Sequence, residues 1–243
     1  VSRPRILDLY CGPGGAATGY HQAGFDVVGV DIEPQPRYPF KFRKADALTY
    51  LAVHGHEYDA IHASPPCPRF ANVTRWRGNQ DDHPDLLTPT LHMLGCFDVP
   101  WVVENVPEAP LRRDLILCGT QFGLAVKRHR VFQFGNWQAF QLLPPCHHHR
   151  RLLPFMHKAE RAYADAMGCT WMTKYEARQA VPPAFTEFIG EMLLHHLYPP
   201  GAAVLPNQTA AAPGHHNSQG ARFGTLRAPW GSVPNVPRQG GAT

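Results

Sequence analysis

Arg5-Ile6-Leu7-Asp8-Leu9-Tyr10-Cys11-Gly12-Pro13-Gly14-Gly15 begins as a short apolar run and breaks into a glycine-rich turn. A run of that length, closed by turn residues, has the pattern of a strand buried on both faces of a parallel sheet. Glycines at the turn remove side chains, so a ligand can approach the backbone closely. The pattern recurs at Asp26-Val27-Val28-Gly29-Val30-Asp31, Asp59-Ala60-Ile61-His62-Ala63 and Trp101-Val102-Val103-Glu104, with helical stretches over 16–23 and 85–96. Alternating strands and helices predict an α/β fold, a doubly wound and mostly parallel sheet with its ligands at the carboxyl ends of the strands.

The chain of 243 residues suffices for one such domain and a small appendage. No apolar run approaches the roughly 18 to 20 residues that span a bilayer, so no membrane association is expected. The net charge of +4 is unevenly spread. Arg112, Arg113, Lys127, Arg128, Arg130, Arg150, Arg151, Lys158 and Arg161 face only Asp114 and Glu160 over the same stretch, a balance that suits a polyanionic partner or a solvated basic surface. Six cysteines lack the tight, even spacing of a secreted disulfide framework, and no leader-like segment opens the chain. A reducing, cytoplasmic setting is expected.

Three further motifs follow strands. Ser64-Pro65-Pro66-Cys67 places a thiol on a turn stiffened by two prolines, where it can be a nucleophile or a buried structural cysteine. Glu104 ends an apolar run that argues for burial, where an unpaired carboxylate is costly. Arg128 and Arg130 alternate as strand residues sharing one face, while Lys127 and His129 fit an exposed edge. Asp31 ends the second strand, where a carboxylate would bind ribose hydroxyls, and Asp46 follows the third, where an adenine amine needs an acceptor. The glycine spacing is not the G-x-G-x-x-G of dinucleotide sites.

In this order, Asp8-Leu9-Tyr10-Cys11-Gly12-Pro13-Gly14-Gly15, Ser64-Pro65-Pro66-Cys67, Glu104-Asn105-Val106 and Arg128-His129-Arg130 resemble the motifs of the DNA (cytosine-5) methyltransferase family, in a compact bacterial or phage form. The resemblance spans about residues 5–197. It implies S-adenosylmethionine as cofactor, a Rossmann-like methyltransferase fold, double-stranded DNA as partner and a monomer in the cytoplasm of a bacterial or phage-infected cell. It also implies Cys67 as the nucleophile on cytosine carbon 6, Glu104 on ring nitrogen 3 and the amino group, Arg130 on O2, and Arg128 bracing the loop or a phosphate. The cofactor would lie against Tyr10, Cys11, Gly12, Gly14, Gly15, Asp31, Ile32, Asp46, Ala47 and Pro66. Ala180 and Val181, in a segment that resembles the family's last motif, would complete its pocket. Cysteine after Ser-Pro-Pro sets the chain apart from methyltransferases of exocyclic amines, which carry an aromatic residue there. Pro68 after Cys67 departs from the family's glutamine, as do Val126, Arg178 and Gln179 from their motifs. An RNA cytosine-5 methyltransferase of the same architecture, acting on transfer RNA, and a silent DNA- or cofactor-binding paralogue are the alternatives.

The organisation expected is a catalytic core over 1–135, a target-recognition insert over 136–160, a closing segment over 161–198 with a helix over 183–197, and a disordered tail over 199–243, which holds no acidic residue. Only about 25 residues are left for recognition, which then relies on short or shape-based contacts. Within the insert, Cys146-His147-His148-His149 offers a zinc set of Cys146, His147 and His149, with His157 or Cys169. The spacing matches no standard finger, and a loop of histidines and arginines meeting phosphates is the preferred expectation, with no metal.

Overall fold

The computed structural model describes residues 2–139, 142–148, 152–153 and 161–199. Arg150, Arg151, His149, His157 and the expected disordered tail beyond Pro199 lie outside the described residues. Seven strands, β1 (Arg5–Leu9), β2 (Asp26–Asp31), β3 (Lys41–Lys44), β4 (Ala60–Ala63), β5 (Trp101–Asn105), β6 (Leu115–Cys118) and β7 (His129–Gly135), form one sheet in the order β3-β2-β1-β4-β5-β7-β6. The first five in that order are mutually parallel, while β7 runs antiparallel to both β5 and β6. Helices α1 (Gly15–Ala23), α2 (Ala47–His54), α3 (Asn72–Arg77), α4 (Leu87–Leu94), α5 (Ala162–Ala166), α6 (Lys174–Gln179) and α7 (Pro183–Leu197) complete the chain. None is long and apolar enough to cross a membrane among the described residues.

Successive strand residues point to opposite faces, and each face is covered. On one side Ile6, Val27, Ala60, Val102, Phe132 and Phe134 pack with Tyr20 of α1 and Phe185, Ile189 and Leu193 of α7. On the other, Leu7, Leu9, Val28, Val30, Ile61 and Val103 pack with Leu51 of α2 and Leu87 and Leu94 of α4. A third cluster, of Val126, Tyr163, Met167, Cys169, Met172, Ala177 and Ala180, knits the closing segment together.

The strands read from the sequence hold to within a residue, and α7 occupies the expected range. The short helices α2, α3 and α6 carry too few turns to show a periodicity and are defined by local caps instead. Asp46 accepts from Thr49 N at 2.8 Å to start α2, and Thr173 with Glu176 forms a reciprocal cap on α6. Strand order reverses between β1 and β4, so a crevice opens at their carboxyl ends. The loop after β1 and the Ser-Pro-Pro-Cys turn after β4 both start there, joined by Ser64 N donating to Leu9 O at 3.1 Å.

Helix α7 closes the domain by lying directly on α1. Thr186 Oγ1 donates to Ala16 O at 2.9 Å, and a Cβ on Gly19 would sit 2.0 Å from Pro183 O. Gly19→Ala therefore forces two backbones apart. The roughly 1 kcal/mol that alanine gains in helix propensity is outweighed, and a net loss of about 1 to 3 kcal/mol is expected in chemical unfolding. Gly95→Ala, where the nearest atoms are 3.4 Å or more away, serves as the control and should be neutral or slightly stabilising.

Candidate active site

The turn after β1 is built from left-handed backbone. Tyr10, Gly12 and Gly14 have φ of 56°, 48° and 88°, a conformation that costs little only for glycine. The glycines differ in what surrounds them. A Cβ on Gly12 would meet nothing within 4 Å, so its outer face is open, whereas one on Gly14 would strike Pro39 and Tyr38 and one on Gly15 would lie 2.3 Å from Val181 O. Asp31 anchors this turn, its Oδ2 accepting from Gly12 N at 2.9 Å and its Oδ1 from Glu33 N at 3.0 Å.

Other residues expected around a cofactor frame the same turn. Tyr10 is half-buried, its hydroxyl bonded to Thr90 Oγ1 at 2.9 Å. Burial raises its phenol, and the charge of Asp46 nearby raises it further. Asp46 spends Oδ1 on both Thr49 N and Thr49 Oγ1, each at 2.8 Å, and these bonds hold its carboxyl below the usual range. Ala47 is buried, while Ile32 and Pro66 are exposed. Ala180 and Val181 are buried against the glycine turn, and Trp171 Nε1 donates to Pro13 O at 2.9 Å from the same closing segment. An open glycine cradle, an oriented carboxylate and an aromatic side wall fit an adenosyl group such as that of S-adenosylmethionine.

Across the crevice lies the second constellation. Glu104, 5% exposed, meets Arg130 across the antiparallel β5–β7 pair, where it stands opposite Phe132 and diagonal to Arg130. Arg130 Nε approaches Glu104 Oε1 to 2.5 Å, close in distance but outside hydrogen-bond alignment, which leaves that oxygen without a hydrogen-bond partner. Burial raises the Glu104 carboxyl, against the pull of Arg130 and Arg128. Asn105 fixes the neighbouring turn, its Nδ2 donating to Pro65 O and its Oδ1 accepting from Val106 N, both at 2.9 Å. Cys67, half-buried on that turn, accepts at its carbonyl from Phe70 N and Ala71 N at 2.9 Å. Burial pushes the Cys67 thiol up, Arg130 pulls it down, Glu104 pushes it up again, and Arg128 pulls it down. Arg128 donates from Nη2 to Ala180 O at 2.6 Å and is brought down to about 10 by burial and by the charge of Arg130.

The sequence reading did not single out a polar seam behind these residues. Asp8 of β1 and His62 of β4 are register partners, wholly buried on the face that carries Glu104. His62 bonds Tyr20 through Nδ1 at 3.0 Å and Ser64 Oγ through Nε2 at 2.8 Å, and Ser64 lies near Glu104, whose carboxyl it pulls down. Burial brings His62 down to about 3, so it is neutral and carries one donor and one acceptor along this chain. The available signal was a single polar residue inside each apolar strand, at Asp8, His62 and Glu104. Asp8, raised by burial and by the charge of Asp31, faces Tyr38 beneath the glycine turn.

Of the expected zinc set, Cys146 and His147 are described, and they do not act together: His147 is tied through its backbone N to Thr120 Oγ1 at 3.2 Å. His149 and His157 lie outside the described residues. Cys169 is buried in the closing-segment cluster near Arg128. All six cysteines are free thiols.

No family model matches the chain. Two curated relatives do: the type II methyltransferase M.XorII of Xanthomonas oryzae pv. oryzae, 28% identical over 158 residues, and the type II methyltransferase M.AgeI of Thalassovita gelatinovora, 23% identical over 178. Each alignment takes in 58% of this chain, and the chain spans 34% and 41% of their lengths. The solved Dnmt2 methyltransferase of S. pombe matches in fold with a TM-score of 0.52 at 14% identity, covering 81% of this chain and 99% of that one. Its match agrees with the sheet order and flanking helices described above, the Rossmann-like fold of S-adenosylmethionine-dependent methyltransferases. Over part of its length the chain is thus similar in sequence to type II methyltransferases, and it shares the methyltransferase fold.

Proposed function

We propose that the chain transfers a methyl group from S-adenosylmethionine to carbon 5 of a cytosine in DNA. The observation that carries this reading is the convergence of Cys67 with the buried Glu104–Arg130 pair at the carboxyl edge of the sheet, next to the glycine turn. A cysteine, not an aromatic residue, ends the Ser-Pro-Pro turn, which favours ring-carbon chemistry over methylation of an amine.

S-adenosylmethionine would be held by the glycine turn, Asp31, Tyr10, Asp46 and the Ala180–Val181 wall, and when bound it supplies the methyl group. Cytosine must first leave the base stack. Cys67, as thiolate, forms a bond to carbon 6. Glu104 gives a proton to ring nitrogen 3 as electron density moves into the ring, and Arg130 neutralises charge at O2. Carbon 5 then takes the methyl group, the carbon 5 proton leaves to a water molecule or hydroxide, and the sulfur–carbon 6 bond breaks to return Cys67 as thiolate while ring nitrogen 3 gives its proton back to Glu104. Glu104 suits the acid role because burial keeps its proton to higher pH than an ordinary carboxyl. Ser64, oriented through His62 and Tyr20, stands beside the Glu104 carboxyl and lowers it. Arg128 ties the active-site strand to the closing segment through Ala180.

The test is transfer of labelled methyl groups to unmethylated duplex DNA and, in parallel, to transfer RNA, with the product nucleoside identified by mass spectrometry. We expect 5-methylcytosine in DNA, none with Cys67→Ala, a decrease of about 10²- to 10⁴-fold with Glu104→Gln, and a denaturant-resistant adduct on 5-fluorocytosine DNA. Label confined to RNA would reassign the substrate. No label and no adduct would leave a protein that binds without chemistry.

A pH experiment on the free protein tests the electrostatics separately. The thiolate is the reactive form, and burial sets the Cys67 thiol above its ordinary value. Site-resolved alkylation of Cys67 should therefore be slow near neutrality and rise at higher pH than that of an ordinary thiol. Glu104→Gln removes a negative charge and moves the midpoint down, whereas Arg130→Gln removes the larger positive influence and moves it up. Unchanged midpoints would show that these groups do not face the thiol.

A further inference from the structure

Cys118 ends β6 and His129 begins β7, and the two are register partners across an antiparallel pair, so their side chains project to the same side of the sheet. The loop after β7 folds back over them. Cys146 Sγ lies 3.6 Å from His129 Nε2, and His148 Nε2 lies 3.3 Å from Cys118 Sγ. The two imidazoles cross at 85° with centroids 5.0 Å apart. One ligand atom from each of the four residues falls within 4.8 Å of all the others.

We propose that Cys118, His129, Cys146 and His148 bind one zinc ion, which fastens the insert to the β6–β7 hairpin. Two sulfurs and two imidazole nitrogens are a standard tetrahedral zinc set. With bonds of about 2.3 Å to sulfur and 2.0–2.1 Å to nitrogen, the sulfur–nitrogen edges of such a tetrahedron are about 3.6 Å. The two observed pairs already match that edge, and the widest separation closes by about 1 Å through side-chain rotation. Thiol–imidazole hydrogen bonds alone are weak and give no reason for four such groups, drawn from three segments, to converge.

The surroundings show why a metal would matter. Residues 142–148 contain no helix or strand and are held to the sheet by Gln121 Nε2 donating to Pro144 O at 2.7 Å and by the His147 N–Thr120 bond. Farther along, Leu153 N donates to Ala125 O at 2.8 Å. A segment so short builds no hydrophobic core of its own, and small units of that kind are commonly stapled by a metal. The ligand spacing explains why no finger motif shows in the sequence. Cys118 and His129 come from the hairpin, and Cys146-His147-His148 contributes its first and third residues.

The measurement is metal content of the full chain, purified under reducing conditions without chelator, followed by cobalt titration of the metal-free protein. About one zinc per chain is expected, with the ligand-field and thiolate charge-transfer bands of tetrahedral cobalt. Cys146→Ser and His148→Ala should lose the ion and the bands, while His147→Ala, in the same loop, keeps both. Helical circular dichroism checks that each variant is folded. Should a variant fail to fold, zinc release from the unmodified chain on thiol modification tests the same ligands. A metal-free protein with no tetrahedral cobalt spectrum, a Cys118–Cys146 disulfide in non-reducing peptide maps, or loss of metal from His147→Ala but not from His148→Ala would overturn the assignment. None of these readouts depends on methyl transfer, so failure here and failure of the cytosine reading are separable.

Discussion

A carboxylate and a guanidinium removed from water constrain everything around them, and in this protein that pair is Glu104 with Arg130. Burying both charges costs several kcal/mol before their attraction is counted, and losing one partner typically costs about 3 to 5 kcal/mol because the other is stranded. The pair is therefore poor evidence for stability and good evidence that geometry matters at that spot. It exists because β7 enters antiparallel beside β5, so that the start of one strand meets the end of the other. The same edge holds the glycine turn and Cys67, and the neighbouring charges that tune the thiol come from this pair and from Arg128.

Strand β7 serves two sites because successive residues face opposite ways. Arg130 turns into the crevice. His129, one residue earlier, turns toward Cys118 and the insert. A ligand that ordered the insert would therefore act through the strand that also carries Arg130, with no side chain common to both sites. The closing segment uses a similar economy. It reaches back to the core at Pro13, Ala16 and Arg128 through Trp171, Thr186 and Ala180, and in doing so seals the base of the glycine turn.

A buried polar line from Tyr20 through His62 to Ser64, beside Glu104, sits within otherwise apolar strands. Such networks are costly when partly satisfied and specify a single arrangement when complete. Here the neutral His62 can be donor to one neighbour and acceptor from the other, which sets the direction of the Ser64 hydroxyl. Ser64 at its end stands beside the Glu104 carboxyl, which Arg130 approaches across the strand pair.

Local chemistry determined much of this protein. Apolar runs at Arg5–Leu9, Asp26–Asp31 and Trp101–Asn105 are legible as strands because both faces of a parallel sheet exclude water. Pro183–Leu197 is legible because its apolar residues recur at helical spacing over four turns. Glycines, prolines and the polar residues that follow them marked the turns, and with them Cys67, Glu104 and Arg130. Convergence through space left no such trace. Nothing in the linear chain distinguishes His148 from His147, ties Cys118 to a loop some thirty residues on, or reveals that His62 and Ser64 stand behind Glu104. Those relations were decided by strand order, register and the return of the insert, because side chains meet according to how backbone elements pack and not according to their separation along the chain.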